Sequence, residues 1–180
     1  MTTGYQATPF QHWIADDFLP TAILARAENA FAGLGDADFL PHPTGYRFGV
    51  CRDVEVLKFL YSSEMKSRLE SLFGRKVKRS SRYPVPQYYD YPENSNGLPP
   101  HTDADEKRDL AMIIYLNEDW SSASGGELVV MNSPVDVATT IAPLKNRMAC
   151  LELHPGAWHA VRPTAAGFRR RTLIVDWDFV

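Results

Sequence analysis

A chain of 180 residues that is 44% hydrophobic with a formal net charge of −3 is long enough for one well-filled core and too short for two comfortable domains. The negative balance excludes the broad basic surface that nucleic acid or an anionic membrane requires, and the small cluster Arg75, Lys76, Lys78, Arg79 and Arg82 reads as a solvated strand edge. Two cysteines, Cys51 and Cys150, make no disulfide framework, no run reaches the ~20 apolar residues of a membrane span, and Met1 to Gln6 holds no charged leader, so the reducing cytoplasm is the expected location.

In chain order, Asp17-Phe18-Leu19-Pro20-Thr21 predicts a helix start, with Ile23, Leu24, Ala27, Ala30 and Phe31 at helical spacing before Gly33 and Gly35 stop it. The next stretch, to Cys51, is rich in Pro and Gly and reads as irregular chain. His42 within it, like His12, has no partner at ligand spacing and is read as structural. Asp53 suits the cap of a second helical region, and Ser62 or Ser63 restarts it through Met65, Leu69, Leu72 and Phe73 to Gly74. Residues 1–75 are therefore expected to be helical support and residues 76–180 the seat of chemistry, within one domain.

After Gly74 the composition turns to strands. Val77 to Tyr91 is rich in β-formers but interrupted by Pro84 and Pro86, and the turn-forming Pro92-Glu93-Asn94-Ser95-Asn96-Gly97 is a candidate lid. Leu110 to Leu116 suits a strand buried on both faces, and further short strands are predicted over 127–131, 137–141, 148–153, 158–161 and 170–179. Trp158 and Trp177 are read as buried side chains. The fold class is mainly β with N-terminal helices, a sandwich or barrel-like core with helices on one side.

The chemistry centres on His101-Thr102-Asp103. In an extended chain, alternation turns His101 and Asp103 to one face, and His159 in His159-Ala160-Val161-Arg162-Pro163 is the candidate third ligand. Two histidines and a carboxylate form the facial set of non-haem Fe(II) oxygenases. His154, before Pro155-Gly156 at a turn, is the poorer alternative. Three protein ligands on an octahedral ion leave three positions, and if 2-oxoglutarate takes two and O2 the last, the far carboxylate of the cosubstrate needs a fixed cation. Arg suits that role through its bidentate fork, and Gly167-Phe168-Arg169-Arg170-Arg171-Thr172-Leu173 lies a short way past His159.

Taken in order, His101-Thr102-Asp103, Tyr115-Leu116-Asn117, Gly125-Gly126-Glu127-Leu128, His159-Ala160-Val161-Arg162-Pro163 and Arg170-Arg171-Thr172-Leu173 resemble the core of the Fe(II)/2-oxoglutarate-dependent dioxygenases, above all their compact prolyl-hydroxylase-like branch. The resemblance implies a double-stranded β-helix, or jelly roll, with the metal at one open end. It implies that His101, Asp103 and His159 are the iron ligands, that Arg170 grips 2-oxoglutarate with Arg171 as the alternative, and that Thr172 assists. Tyr88 would reach the cosubstrate, with Tyr89 and Tyr91 competing for that place. Fe(II), 2-oxoglutarate and O2 follow as cofactor and cosubstrates, with ascorbate a candidate reductant, and the implied reaction hydroxylates an unactivated C–H bond while releasing succinate and CO2.

Asp103 argues against halogenation, in which related enzymes lack this carboxylate, and leaves desaturation and ring closure open. A short chain without an appended peptide-binding domain points to a small-molecule substrate, such as a free amino acid or natural-product intermediate, and to no nucleic-acid or membrane partner. The alternatives are a hydroxylase of a protein or peptide residue, a cupin-like metalloprotein that does not use 2-oxoglutarate, and a binding module without activity. The arginine after His159 opposes the second, and the complete ligand set opposes the third.

Overall fold

Three α-helices, one short 3-10 helix (Asp36–Asp38) and thirteen strands are built from residues 3–104 and 107–180, the residues that the computed structural model describes; Met1 and Thr2 of the N-terminal stretch lie outside them. The helices begin and end as their sequences predict. Asp53 accepts the backbone N–H groups of Glu55 and Val56 to cap α2 (Val54–Leu60), Ser62 accepts that of Met65 to cap α3 (Ser63–Phe73), and Gly74 closes α3 with a left-handed φ of 67°. Asp53 also receives Arg26 of α1 (Thr21–Ala32) at 2.8 Å, so one side chain caps α2 and ties α1 to it.

All strand pairs are antiparallel, and two sheets result. In the larger the order is β1 (Gly4–Gln6), β2 (His12–Ala15), β11 (Met148–Glu152), β8 (Leu110–Tyr115), β13 (Arg170–Phe179), β6 (Gln87–Tyr91), β4 (Arg47–Val50) and β3 (Phe39–Pro41), with β5 (Val77–Arg79) also on β13. The smaller runs β10 (Asp136–Ile141), β9 (Leu128–Ser133), β12 (His159–Val161) and β7 (Leu98–His101). This is the jelly-roll arrangement that the resemblance implies. Residues 1–75 depart from helical support alone, since they place four strands in the larger sheet, two at either end. Their short strands carry no long apolar alternation, which is why sequence patterning misses them.

Two apolar layers follow from strand alternation. Leu110, Met112 and Ile114 of β8, with Leu173, Val175 and Trp177 of β13, meet Val56, Leu60, Met65, Leu69 and Phe73 of the helices. The intervening Ala111, Ile113, Tyr115 and Ile174 face the other way, into the space between the sheets, against Leu128 and Val130. All six residues of β8 are buried, as its continuous apolar run predicts. Pro99 and Pro100 lie in β7, an edge strand, where a missing N–H costs no ladder bond. No helix among the described residues is long and apolar enough to cross a membrane.

Candidate active site

His101 ends β7 and His159 begins β12, and these neighbouring strands pair the two residues directly, with ring centroids 4.2 Å apart. Each imidazole is fixed through Nδ1, at 2.8 Å from the Pro99 carbonyl oxygen for His101 and 2.9 Å from that of Ala157 for His159. A carbonyl oxygen only accepts, so Nδ1 carries the proton and Nε2 is left with a free lone pair. Asp103 sets Oδ1 3.5 Å from Nε2 of His101 and Oδ2 3.4 Å from Nε2 of His159.

The three donor atoms lie within 4.8 Å of one another. Ligands at right angles on an ion with bonds of about 2.1 Å stand ~3 Å apart, so this set fits an octahedral ion such as Fe(II) after a small inward shift. Among the described residues no other trio of His, Cys, Asp and Glu converges this way.

The pleat does not bring Asp103 there. Strand β7 stops at His101, and Asp103 takes a left-handed φ of 54°, which a short polar side chain tolerates. A turn thus replaces the extended His-x-Asp segment expected from alternation. Burial lowers the His101 pKa, and the neighbouring His159 adds to the effect, which favours the neutral, metal-binding imidazole. For Asp103 burial pulls upward, yet the charge of the Arg108 guanidinium beside it outweighs this and holds the carboxyl well below its usual range.

Deeper in, β13 presents Arg170, Thr172, Ile174 and Asp176 on its inner face. Arg170 is 2% exposed, and its Nε donates to the Gly126 carbonyl at 2.9 Å. Its guanidinium sits 5.0 Å from the ring centroid of Tyr91 and 5.2 Å from that of Tyr115. Arg171 points to the opposite face, its guanidinium 5.4 Å from the ring of Phe31 in α1. Of the two candidate arginines, Arg170 alone lines the cavity of about 80 Å³ beside the histidines.

Gly126 makes this possible. Its φ is 74°, and a Cβ there would stand 3.1 Å from Phe168 and 3.3 Å from Cδ of Arg170. The hydroxyls of Thr172 and Tyr115, cross-strand partners in register, are buried and make no hydrogen bond. Two unpartnered hydroxyls beside a buried guanidinium suit an anion with several oxygen atoms.

Tyr88 does not reach this cavity. Tyr88 faces the helices, and its hydroxyl donates to the Ala27 carbonyl at 3.0 Å and lies 3.2 Å from Cys51 Sγ. Tyr89 and Tyr91 take the inner face instead and stack on Tyr46 at 4.9 and 4.7 Å. By strand parity it is Tyr89 and Tyr91, and not Tyr88, that line the cavity beside the histidines. Trp177 packs in the helix-side core and Trp158 against Val129, Met131 and Ala160. His154 lies exposed at its turn, accepting from the Gly156 N–H at 3.0 Å, apart from the trio.

The candidate lid is tied down. Ser95 donates its N–H to Thr164 Oγ1 and accepts that of Thr164, and Asn94 donates to the Ala165 carbonyl. Patterning also misses Arg108, whose guanidinium meets Asp103 at 2.8 Å and Asp176 at 2.7 Å. Neither Arg108 nor Asp176 is singled out in the sequence; counting in twos from Arg170 reaches Asp176, whereas nothing local marks Arg108.

The description "2OG-Fe(II) oxygenase superfamily" belongs to the family profile that matches residues 86–177. Comparison of the sequence with curated proteins gives no match. Among solved structures, a prolyl hydroxylase from Trichoplax adhaerens, in complex with a hypoxia inducible factor oxygen degradation domain peptide, superposes with a TM-score of 0.75 at 20% identity, covering 93% of this chain and 83% of that one. A Pseudomonas putida prolyl-4-hydroxylase gives 0.70 at 20% identity, covering 93% and 91%. EctD from S. alaskensis, solved with 2-oxoglutarate and 5-hydroxyectoine, gives 0.65 at 14% identity, covering 93% and 71%. The family profile spans just over half of the chain and takes in all three converging ligands, the Arg170 strand and the Tyr89–Tyr91 wall, so the protein belongs to the 2OG-Fe(II) oxygenases, the Fe(II)- and 2-oxoglutarate-dependent dioxygenases.

Proposed function

We propose that this dioxygenase hydroxylates an unactivated C–H bond of a small molecule, such as a free amino acid or natural-product intermediate, in the reducing cytoplasm. The carrying observation is the buried Arg170 guanidinium, set with the free hydroxyls of Thr172 and Tyr115 behind the His101, Asp103 and His159 trio. In this reading the trio holds Fe(II) and the arginine takes the far carboxylate of 2-oxoglutarate. Bound together, metal and cosubstrate supply the oxidising power, with succinate and CO2 as by-products. The protein contributes geometry and dryness. Nε2 of both histidines is presented without a proton, the Arg170 fork fixes the cosubstrate's direction, and Tyr91 and Tyr115 close the chamber around it.

Beyond His101 and Asp103 a groove of about 350 Å³ opens between Tyr46, Phe48, Tyr83 and Tyr89. That is the size of a small-molecule pocket, with aromatic walls and the polar groups of His42, Thr44, Gln87 and Arg108 set among them, which supports a compact, partly polar substrate over an extended one. The test is succinate release from 2-oxoglutarate under Fe(II) and O2, with amino acids, small metabolites and proline-containing peptides as candidate substrates. Wild type is expected to release succinate and His101→Ala to release none. Equal release would remove the iron assignment, and stimulation by the peptides alone would replace the small-molecule reading with a protein one.

A further inference from the structure

We propose that Arg108, braced by Asp176, is a positioning residue that aims the Asp103 carboxylate at the metal. The inference rests on the metal-site reading above and concerns what holds one of its ligands in place. Asp103 lies past the end of β7 at a positive φ, so no strand ladder fixes its direction. Its Oδ2 is taken by Nη2 of Arg108 at 2.8 Å, which leaves Oδ1 as the oxygen without a close charged partner and hence the donor to the ion. The other arm of the same guanidinium, Nη1, is held by Asp176 Oδ1 at 2.7 Å.

Burial makes the arrangement selective. The Arg108 side chain is 11% exposed and that of Asp176 4%, so neither charge is screened by bulk water. A guanidinium beside a ligand carboxylate competes with the metal for its negative charge. Asp176 lessens that competition by drawing the cation back toward β13, and only a planar fork spans two carboxylates in this way. One face of β13 thus carries Arg170 toward the cosubstrate and Asp176 toward the iron carboxylate. Partners that orient metal ligands typically contribute 10–100-fold in affinity.

The experiment is a titration of the purified, metal-free protein with Mn(II), a redox-silent substitute for Fe(II), followed by the loss of the free-ion EPR signal. Asp176→Asn, nearly isosteric, is expected to weaken Mn(II) binding about 10–100-fold, because the whole Arg108 charge then bears on Asp103. In an Arg108→Gln background the same substitution is expected to change nothing further, since Asp176 acts only through the guanidinium. Arg108→Lys serves as the second background should Arg108→Gln not fold. Wild-type Mn(II) affinity in Asp176→Asn overturns the proposal, as does a loss of the same size in both backgrounds, which is the mark of a merely structural residue. His101→Ala separates this from the parent reading, because undiminished Mn(II) binding in that variant would remove the site itself.

Discussion

At the scale of single residues, adjacent arginines of one strand face different worlds. Arg170 is enclosed beside Tyr91 and Tyr115, while Arg171 lies over Phe31 of a helix. Losing a buried charge partner typically costs 2–5 kcal/mol, so Arg170→Ala should raise the KM for 2-oxoglutarate by about 100-fold or more, and Arg171→Ala by far less. Succinate release against cosubstrate concentration reads both, and a larger rise in the second variant would reverse the assignment. The sequence left this pair open because parity cannot be counted until one inward residue is known. The same lack misdirected Tyr88, whose hydroxyl serves the Ala27 carbonyl. Tyr88→Phe should cost about 1 kcal/mol in urea unfolding and leave the KM for 2-oxoglutarate unchanged.

At the scale of elements, helix boundaries were legible because caps are local: Asp53, Ser62 and Gly74 each act within a few residues of where they stand. So was β8, whose unbroken apolar run has no other home than a strand covered on both faces. The turn that delivers Asp103 was not, since a left-handed aspartate has no neighbour pattern to announce it. Gly126 lay between these cases. Its double glycine signalled a turn, but its contact with Arg170 is visible only in space. Gly126→Ala imposes a left-handed conformation on a residue with a Cβ, at a cost of about 1–2 kcal/mol. It also pushes on the arginine, so stability should fall and the KM for 2-oxoglutarate rise together; a variant that loses stability with an unchanged KM would free Gly126 from any part in holding Arg170.

Across the whole molecule, buried imidazoles link stability to pH. Burial lowers the pKa of His12, against the opposing hydrogen bond to the Phe10 carbonyl, and burial likewise lowers that of His101. Below about 6.5 the unfolded chain takes up protons that the folded protein refuses. The metal-free protein should therefore be most stable above that pH and lose stability as the pH falls through 6.5 toward the lowered folded values. Urea midpoints at pH 7.5, 6.5 and 5.5 measure the slope, and His12→Gln should flatten it. A slope of the opposite sign would show that these imidazoles are charged in the fold. The mostly β fold and the iron trio were legible because both rest on short motifs in a fixed order. The early strands and the Arg108 brace were not, because they rest on contacts between distant segments.

Strand β13 alternates Arg170, Thr172, Ile174 and Asp176 on one side with Leu173, Val175 and Trp177 in the helix-side core. Chemistry and core are thus interleaved at single-residue spacing, and neither can slide without the other. A substitution at one of these positions alters one contact. A residue inserted or deleted there would exchange the two sets outright, sending arginine and aspartate into the helices and leucine and tryptophan into the iron chamber. Evolution and engineering alike are therefore left with point changes along this strand, and any change of length must be taken up in the loops that precede it.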